Sequence, residues 1–219
     1  MLFNFLGDSI VQGVGTEKHE ETFPYIVSKF FNAIECNYGV SGTRIAFQKK
    51  PSQESITDEQ FITRALKMPK DADFTFVLGG TNDFGHGDAA LGKVGDVGQN
   101  TFYGAFYNLA DFLKNVYRDK LCFILPLPRF DQDNPYGEWS KKEEKGSLLE
   151  EYINVEKDIL NLLKIDYLDL SKKLSVPPSS QGNDWTNDGA HPNKKGHKII
   201  SNCIIEYLNK KTKKTKIRK

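Results

Sequence analysis

Long apolar runs are missing from this 219-residue chain. No stretch approaches the roughly 18 consecutive apolar residues that a membrane-crossing helix needs, so no stable membrane insertion is expected. Cysteine is scarce. Cys36, Cys122 and Cys203 are odd in number and widely spaced, and each sits in an apolar context (IECNY, LCFIL, NCIIEY). They read as buried thiols rather than as a disulfide framework or a metal site. Net charge is nearly absent as well, at +1, but the balance is uneven: the last ten residues, KKTKKTKIRK, hold seven of the 30 basic groups. The body is therefore mildly acidic, which argues against a nucleic-acid-binding surface. The basic tail, 210–219, is expected to be disordered. The first apolar run begins at Leu2 and leaves no room for a charged and apolar leader, so a cytoplasmic location is expected.

What is present suffices for one large domain over 1–209, with 38% hydrophobic and 12% aromatic residues to build a core. Short apolar runs predict strands at Leu2–Leu6, Ala33–Tyr38, Phe74–Leu78, Leu121–Leu127 and Tyr167–Leu170. Segments of helical period lie between and after them, at Thr22–Phe31, Thr57–Lys67, Phe102–Tyr117, Ser147–Leu163 and Asn193–Leu208. In Phe102–Tyr117 the residues Phe102, Phe106, Leu109, Leu113 and Val116 form one apolar stripe. Five strand–helix alternations predict an α/β domain of three layers around a parallel sheet. Two long loops, Phe84–Asn100 and Arg129–Gly146, leave the carboxyl ends of predicted strands, where open α/β sheets build their sites.

Four short segments at such strand ends carry chemistry. Gly7-Asp8-Ser9 follows the first strand, and Ser9 is either a helix cap or a nucleophile facing the crevice. Gly42, in NYGVSGTR, follows the second, where glycine lets backbone amides approach a ligand. Asn82 and Asp83, in LGGTNDFGHG, follow the third; Asn82 either closes an Asx-turn or donates to an oxyanion. Asp188 and His191 stand three apart in NDWTNDGAHPNKKGH, a spacing at which a carboxylate can hold Nδ1–H and leave Nε2 free as a base. His86 is a candidate for the pocket, whereas His19 and His197 read as surface or helix-face residues. Together the four segments supply a nucleophile, oxyanion donors, a base and an orienting acid.

The ordered set Gly7-Asp8-Ser9-Ile10, Gly42, Gly80-Thr81-Asn82-Asp83 and Asp188-Gly-Ala-His191 resembles the four blocks of the SGNH (GDSL-like) hydrolases, spanning residues 7 to 191. The resemblance implies a flavodoxin-like α/β/α sandwich with a five-stranded parallel sheet of order 2-1-3-4-5. It also implies hydrolysis of esters through an acyl-enzyme, with no cofactor and no metal. Ser9 would be the nucleophile, His191 the general base and Asp188 its orienting acid. The Ser9 amide, the Gly42 amide and the Asn82 side chain would form the oxyanion hole, and Asp8 would bond backbone around the Ser9 turn. The expected partner is a small-molecule ester, and activity is expected to fall as pH drops through the imidazole range, about 6 to 7.

Rival readings lack their signatures. An α/β-hydrolase needs G-x-S-x-G, where this chain has Gly7-Asp8-Ser9-Ile10-Val11. GDSIVQGVGTE is neither a Walker loop nor a complete G-x-G-x-x-G. Asp188 and His191 lack a further metal ligand at a recognisable spacing. Tyr136, Trp139 and Trp185 are candidate substrate walls beside His86. Their aromatic faces suit sugar rings, favouring a small-acyl (acetyl) carbohydrate esterase, but would also cover the acyl chain of a lipase-like, lysophospholipase or thioesterase substrate. A catalytically silent carbohydrate-binding relative is the remaining alternative.

Overall fold

β1 (Leu2–Gly7) alternates about the sheet: Phe3 and Phe5 enter one apolar cluster while Leu6 enters the other. The same alternation places Phe74, Phe76 and Leu78 on the first side and Val77 on the second. A sheet greasy on both faces must be covered on both, which is why the chain returns through helices after its strands. The computed structural model describes residues 1–130, 141–142, 147–174 and 185–217.

In chain order β1 is followed by α1 (Ser9–Gln12), a 3₁₀ turn (His19–Glu21), α2 (Phe23–Phe30), β2 (Ile34–Gly39), a second 3₁₀ turn (Ser55–Asp58) and α3 (Phe61–Ala65). Then come β3 (Phe74–Leu78), α4 (Thr81–Gly85), α5 (Phe102–Tyr117), β4 (Leu121–Ile124), the short β5 (Lys141–Lys142) and β6 (Ser147–Leu148), α6 (Leu149–Leu162), β7 (Asp166–Leu168) and α7 (Lys194–Ile217). Five strands form one parallel sheet of order β2-β1-β3-β4-β7, which is 2-1-3-4-5 when its own strands are counted. Helices α2 and α7 pack on one face and α3, α5 and α6 on the other, giving three layers. β5 and β6 pair antiparallel, apart from this sheet.

The expected helix over 57–67 is broken in two. Asp58 turns back to accept from the Ser52 N–H and hydroxyl and from Arg44, and Glu59 and Gln60 are extended before α3 begins. β4 ends at Ile124 rather than Leu127, because Pro126 has no N–H to continue the ladder. The last helix continues through Ile217, beyond its expected end at Leu208. Lys211 is tied to Asp166 Oδ2 at 2.8 Å and to the Tyr207 hydroxyl at 3.0 Å, which carries the helix past Leu208.

Cys122 and Cys203 are buried thiols as expected, but Cys36 is only half-buried, because β2 is an edge strand. His19 stays near the surface against Glu35. His197 does not: it is fully buried between α2 and α7, stacks on Phe23 and accepts the Phe23 N–H at Nδ1. Burial pushes its imidazole down to about 4, which keeps it neutral. No helix among the described residues is long and apolar enough to cross a membrane.

Phe5 is fully buried, stacked on Phe76 at 5.5 Å and edge-on to Phe23 at 5.9 Å. Phe5→Ala should lower unfolding free energy by about 3–5 kcal/mol. Val97→Ala, at a residue 81% exposed, should change it by less than about 0.5 kcal/mol. Urea titration of both variants checks this, and equal midpoints would contradict the assigned core.

Candidate active site

The sheet register sets the site. Gly7 of β1 lies opposite Gly39 of β2 and Leu78 of β3, so three strands end at one level and the turns beyond them share one edge. Ser9 and Asn82 lie in the first turns of α1 and α4, and Gly42 lies in the turn after β2. Asp8 caps α1, its Oδ1 accepting the Ile10 N–H at 3.0 Å, which bends the chain so that Ser9 opens the helix. Burial pushes the Asp8 carboxyl up to about 6 against that hydrogen bond.

The turn bearing Gly42 is held from three directions. Gln12 Oε1 accepts the Ser41 N–H at 2.6 Å. Arg64 donates to the Gly7 and Tyr38 carbonyls and, at 2.7 Å, to the Thr43 hydroxyl. Arg44 Nη1 donates to the Gly42 carbonyl at 3.2 Å. Gly42 has φ +75°, a conformation that side-chain-bearing residues rarely adopt. Asp83 ties the next stretch to α4, its two oxygens accepting the Ile45 and Ala46 N–H groups at 2.9 Å each. Burial raises its carboxyl to about 6 although both hydrogen bonds favour ionisation.

The fourth segment arrives from far along the chain. Asn187 Nδ2 donates to the Gly15 carbonyl at 3.2 Å, the Phe130 N–H donates to the Gly189 carbonyl at 2.7 Å, and Asn193 N–H closes on the Trp185 carbonyl at 2.9 Å. At Gly15 a Cβ would sit 2.5 Å from the Pro192 carbonyl, so only glycine allows this approach. Asp188 Oδ1 accepts the Ala190 and His191 N–H groups, leaving Oδ2 2.6 Å from His191 Nδ1. His191 Nε2 in turn lies 2.9 Å from Ser9 Oγ. Partial burial works against ionisation of Asp188, but the His191 N–H, the imidazole and the Ala190 N–H outweigh it and bring the carboxyl down to about 2.

A cavity of about 440 Å³ opens over these atoms, lined in part by Ser9, Gly42, Asn82, His86, Arg129 and His191. Of the residues singled out from sequence, Ser9, Gly42, Asn82, His86, Asp188 and His191 all meet here. Trp185 does not: at 2% exposure it is packed edge-on against Phe130 in the core beneath α7. Tyr136 and Trp139 lie outside the described residues. Sequence reasoning missed Arg44 and Arg129. Arg129 is 8% exposed and donates to the Thr81 carbonyl at 3.2 Å. Both arginines stand in segments already suspected, but a lone basic residue in a loop reads as solvated until its burial is known.

The low Asp188 pKa has a consequence for stability. A carboxyl depressed on folding stabilises the native state above its unfolded value of about 4 and loses that contribution as pH falls toward its folded value. The difference in urea midpoint between the native protein and Asp188→Asn should be full above about pH 4 and close as pH approaches about 2. A difference independent of pH would contradict the assignment.

The sequence matches the GDSL-like Lipase/Acylhydrolase family over residues 5–199. A crystal structure of a protein from Lactobacillus plantarum is 25% identical, with a TM-score of 0.77 over 95% of this chain and 96% of that one. A lipase/acylhydrolase from Enterococcus faecalis is 17% identical, with a TM-score of 0.64 over 96% and 97%. A carbohydrate acetylesterase family member from Sinorhizobium meliloti is 15% identical, with a TM-score of 0.61 over 95% and 97%. No curated protein shows significant sequence similarity to this chain. With that family matched over nearly its whole length, the chain belongs to the GDSL-like lipase/acylhydrolases, the SGNH family of serine ester hydrolases.

Proposed function

We propose that this protein is a serine esterase that removes a small acyl group, acetyl above all, from a hydroxylated substrate such as a carbohydrate. The observation that carries the reading is the chain from Asp188 Oδ2 through His191 to Ser9 Oγ, with steps of 2.6 and 2.9 Å, ending in a cavity. Asp188, ionised across the working range, accepts Nδ1–H and so leaves the Nε2 lone pair toward the serine hydroxyl. His191 takes the hydroxyl proton as Ser9 Oγ bonds to the ester carbonyl carbon. The Ser9 and Gly42 amides and Asn82 Nδ2 receive the oxyanion. The C–O bond to the alcohol then breaks, and His191 returns the proton to the departing oxygen. Water, deprotonated by the same imidazole, attacks the acyl-serine; the acyl C–O bond to Ser9 breaks, His191 returns the proton to Ser9 Oγ, and the acid is freed.

The wall chemistry supports a short acyl group. Among the described residues that line the cavity, Ser41, Thr81, Asn82, His86, Arg129 and Asp188 are polar, whereas Ile10 and Ala190 are apolar. A long acyl chain gains its affinity from apolar burial, about 0.8 kcal/mol per methylene, which the described residues of this lining offer for only a few carbons. A hydroxylated alcohol finds donors and acceptors in it. The Sinorhizobium meliloti carbohydrate acetylesterase family member shares the fold, in keeping with this choice.

A series of p-nitrophenyl esters tests the reading. Acetate should be turned over fastest, with rates falling as the acyl chain grows, and Ser9→Ala should lower kcat to background, on the order of 10⁶-fold. A maximum at eight carbons or more would replace the small-acyl reading by a lipase-like one. Equal turnover by a folded Ser9→Ala would remove Ser9 from the mechanism.

A further inference from the structure

Asn82 must present its NH₂ rather than its carbonyl oxygen to a developing oxyanion, yet a carboxamide is nearly symmetric in shape and can rotate to offer either. The neighbours of Asn82 decide which. On one side the Thr43 carbonyl lies 3.1 Å from Nδ2, and a carbonyl can only accept, so the nitrogen belongs there. On the other side His86 Nε2 lies 3.2 Å from Oδ1. That contact fixes the amide only if Nε2 carries the proton, and the proton's place is set by the far nitrogen of the same ring. Arg44 Nη1 lies 3.2 Å from His86 Nδ1. A guanidinium has donors and no acceptor, so Nδ1 must be the bare, accepting nitrogen and Nε2 the protonated one.

Arg44 is itself rigidly held. It is 5% exposed, and its Nη2 donates to the Ser52 hydroxyl at 2.6 Å and to Asp58 Oδ1 at 2.7 Å. Its Nη1 also reaches the Gly42 carbonyl. One buried arginine therefore braces the turn bearing Gly42 and, through His86, the amide of Asn82.

We propose that His86, with its tautomer set by Arg44, is a positioning residue that locks the Asn82 carboxamide with its NH₂ toward the reacting carbonyl. The inference rests on the esterase reading of the site. It makes His86 an orienter of the oxyanion donor, in place of the substrate contact expected from sequence. His86 and His191 then carry opposite tautomers: Nε2–H in His86, Nδ1–H in His191.

Two measurements test this, one of them independent of activity. Long-range ¹⁵N–¹H spectra of the labelled protein at pH 8, assigned with His86→Gln, should show His86 protonated at Nε2 and bare at Nδ1. An Nδ1–H tautomer, or nitrogens averaged between the two forms, would overturn the proposal. The second measurement is a double-mutant cycle on p-nitrophenyl acetate, with folding of each variant checked by circular dichroism. His86→Leu should lower kcat by about ten- to a hundredfold, part of the loss that follows deletion of an oxyanion donor, and change KM by less than about twofold. His86→Gln, which keeps an N–H donor near the Nε2 position, should recover kcat to within about threefold of the native value. In the Asn82→Ala background, His86→Leu should cost less than about twofold further, because the group it orients is gone. A full additional loss in that background, or a rise in KM at unchanged kcat, would overturn the positioning role. A folded protein that neither hydrolyses the ester nor is labelled by a fluorophosphonate would refute the esterase reading instead, and the tautomer alone would then decide whether His86 holds the Asn82 amide.

Discussion

Ser9 Oγ and His191 Nε2 are 2.9 Å apart although the residues are separated by 182 positions in the chain, and the rest of the site is arranged around keeping that hydrogen bond short. One end is fixed by the carboxyl terminus of a central strand, where β1 is paired on both sides and its last residue is in register with both neighbours. The other end depends on a loop that no sheet holds. That loop is attached by a few directional contacts: Asn187 to Gly15, Gly189 to Phe130, and Trp185 to Asn193. Buried Trp185 anchors its start and α7 its end. The imidazole is thereby delivered by a stiff lever rather than by a strand.

The polar groups beneath the site follow one logic. The segments past β1, β2 and β3 bring Ser9, Gly42 and Asn82 to one cavity, and each segment is held from behind. Buried charged side chains do this work: Asp8 beneath the Ser9 turn, Arg64 and Arg44 beneath the Gly42 turn, Asp83 between the Gly42 and Asn82 segments. Burial costs these charges, which is why the Asp8 and Asp83 carboxyls rise to about 6 and the Arg64 guanidinium falls to about 10. Hydrogen bonds to backbone, one at Asp8 and two each at Arg64 and Asp83, offset part of that cost. Asp188 differs in kind: it is exposed and well supplied with N–H donors, so it stays ionised beside the imidazole.

Much of this was legible in the sequence, for identifiable reasons. Strands buried on both faces announce themselves as apolar runs, so the β3 boundaries and the α5 stripe agree with expectation residue for residue. The residues of the site were legible because Ser9, Gly42 and Asn82 follow strand ends, Asp188 and His191 stand three apart before the last helix, and together they supply different chemical parts. Elements shorter than the periods used to find them were not: α1 and α4 span four and five residues, and the β5–β6 pairing is two residues on each side. The break between Asp58 and α3 was hidden because it depends on side-chain contacts of Asp58 with Ser52 and Arg44, six and 14 residues earlier, which no helical period encodes. The buried arginines and the burial of His197, which lies on the face of α7 against α2, were not legible for the same reason, since only the fold reveals their partners.

The central claim is that Ser9 is the nucleophile and His191 its base. Treatment of the folded protein with a fluorophosphonate, followed by peptide mass spectrometry, tests it most directly. A single phosphonyl adduct is expected on the peptide containing Ser9, and it should disappear in His191→Ala. An adduct on another residue, or an unmodified folded protein, would contradict it.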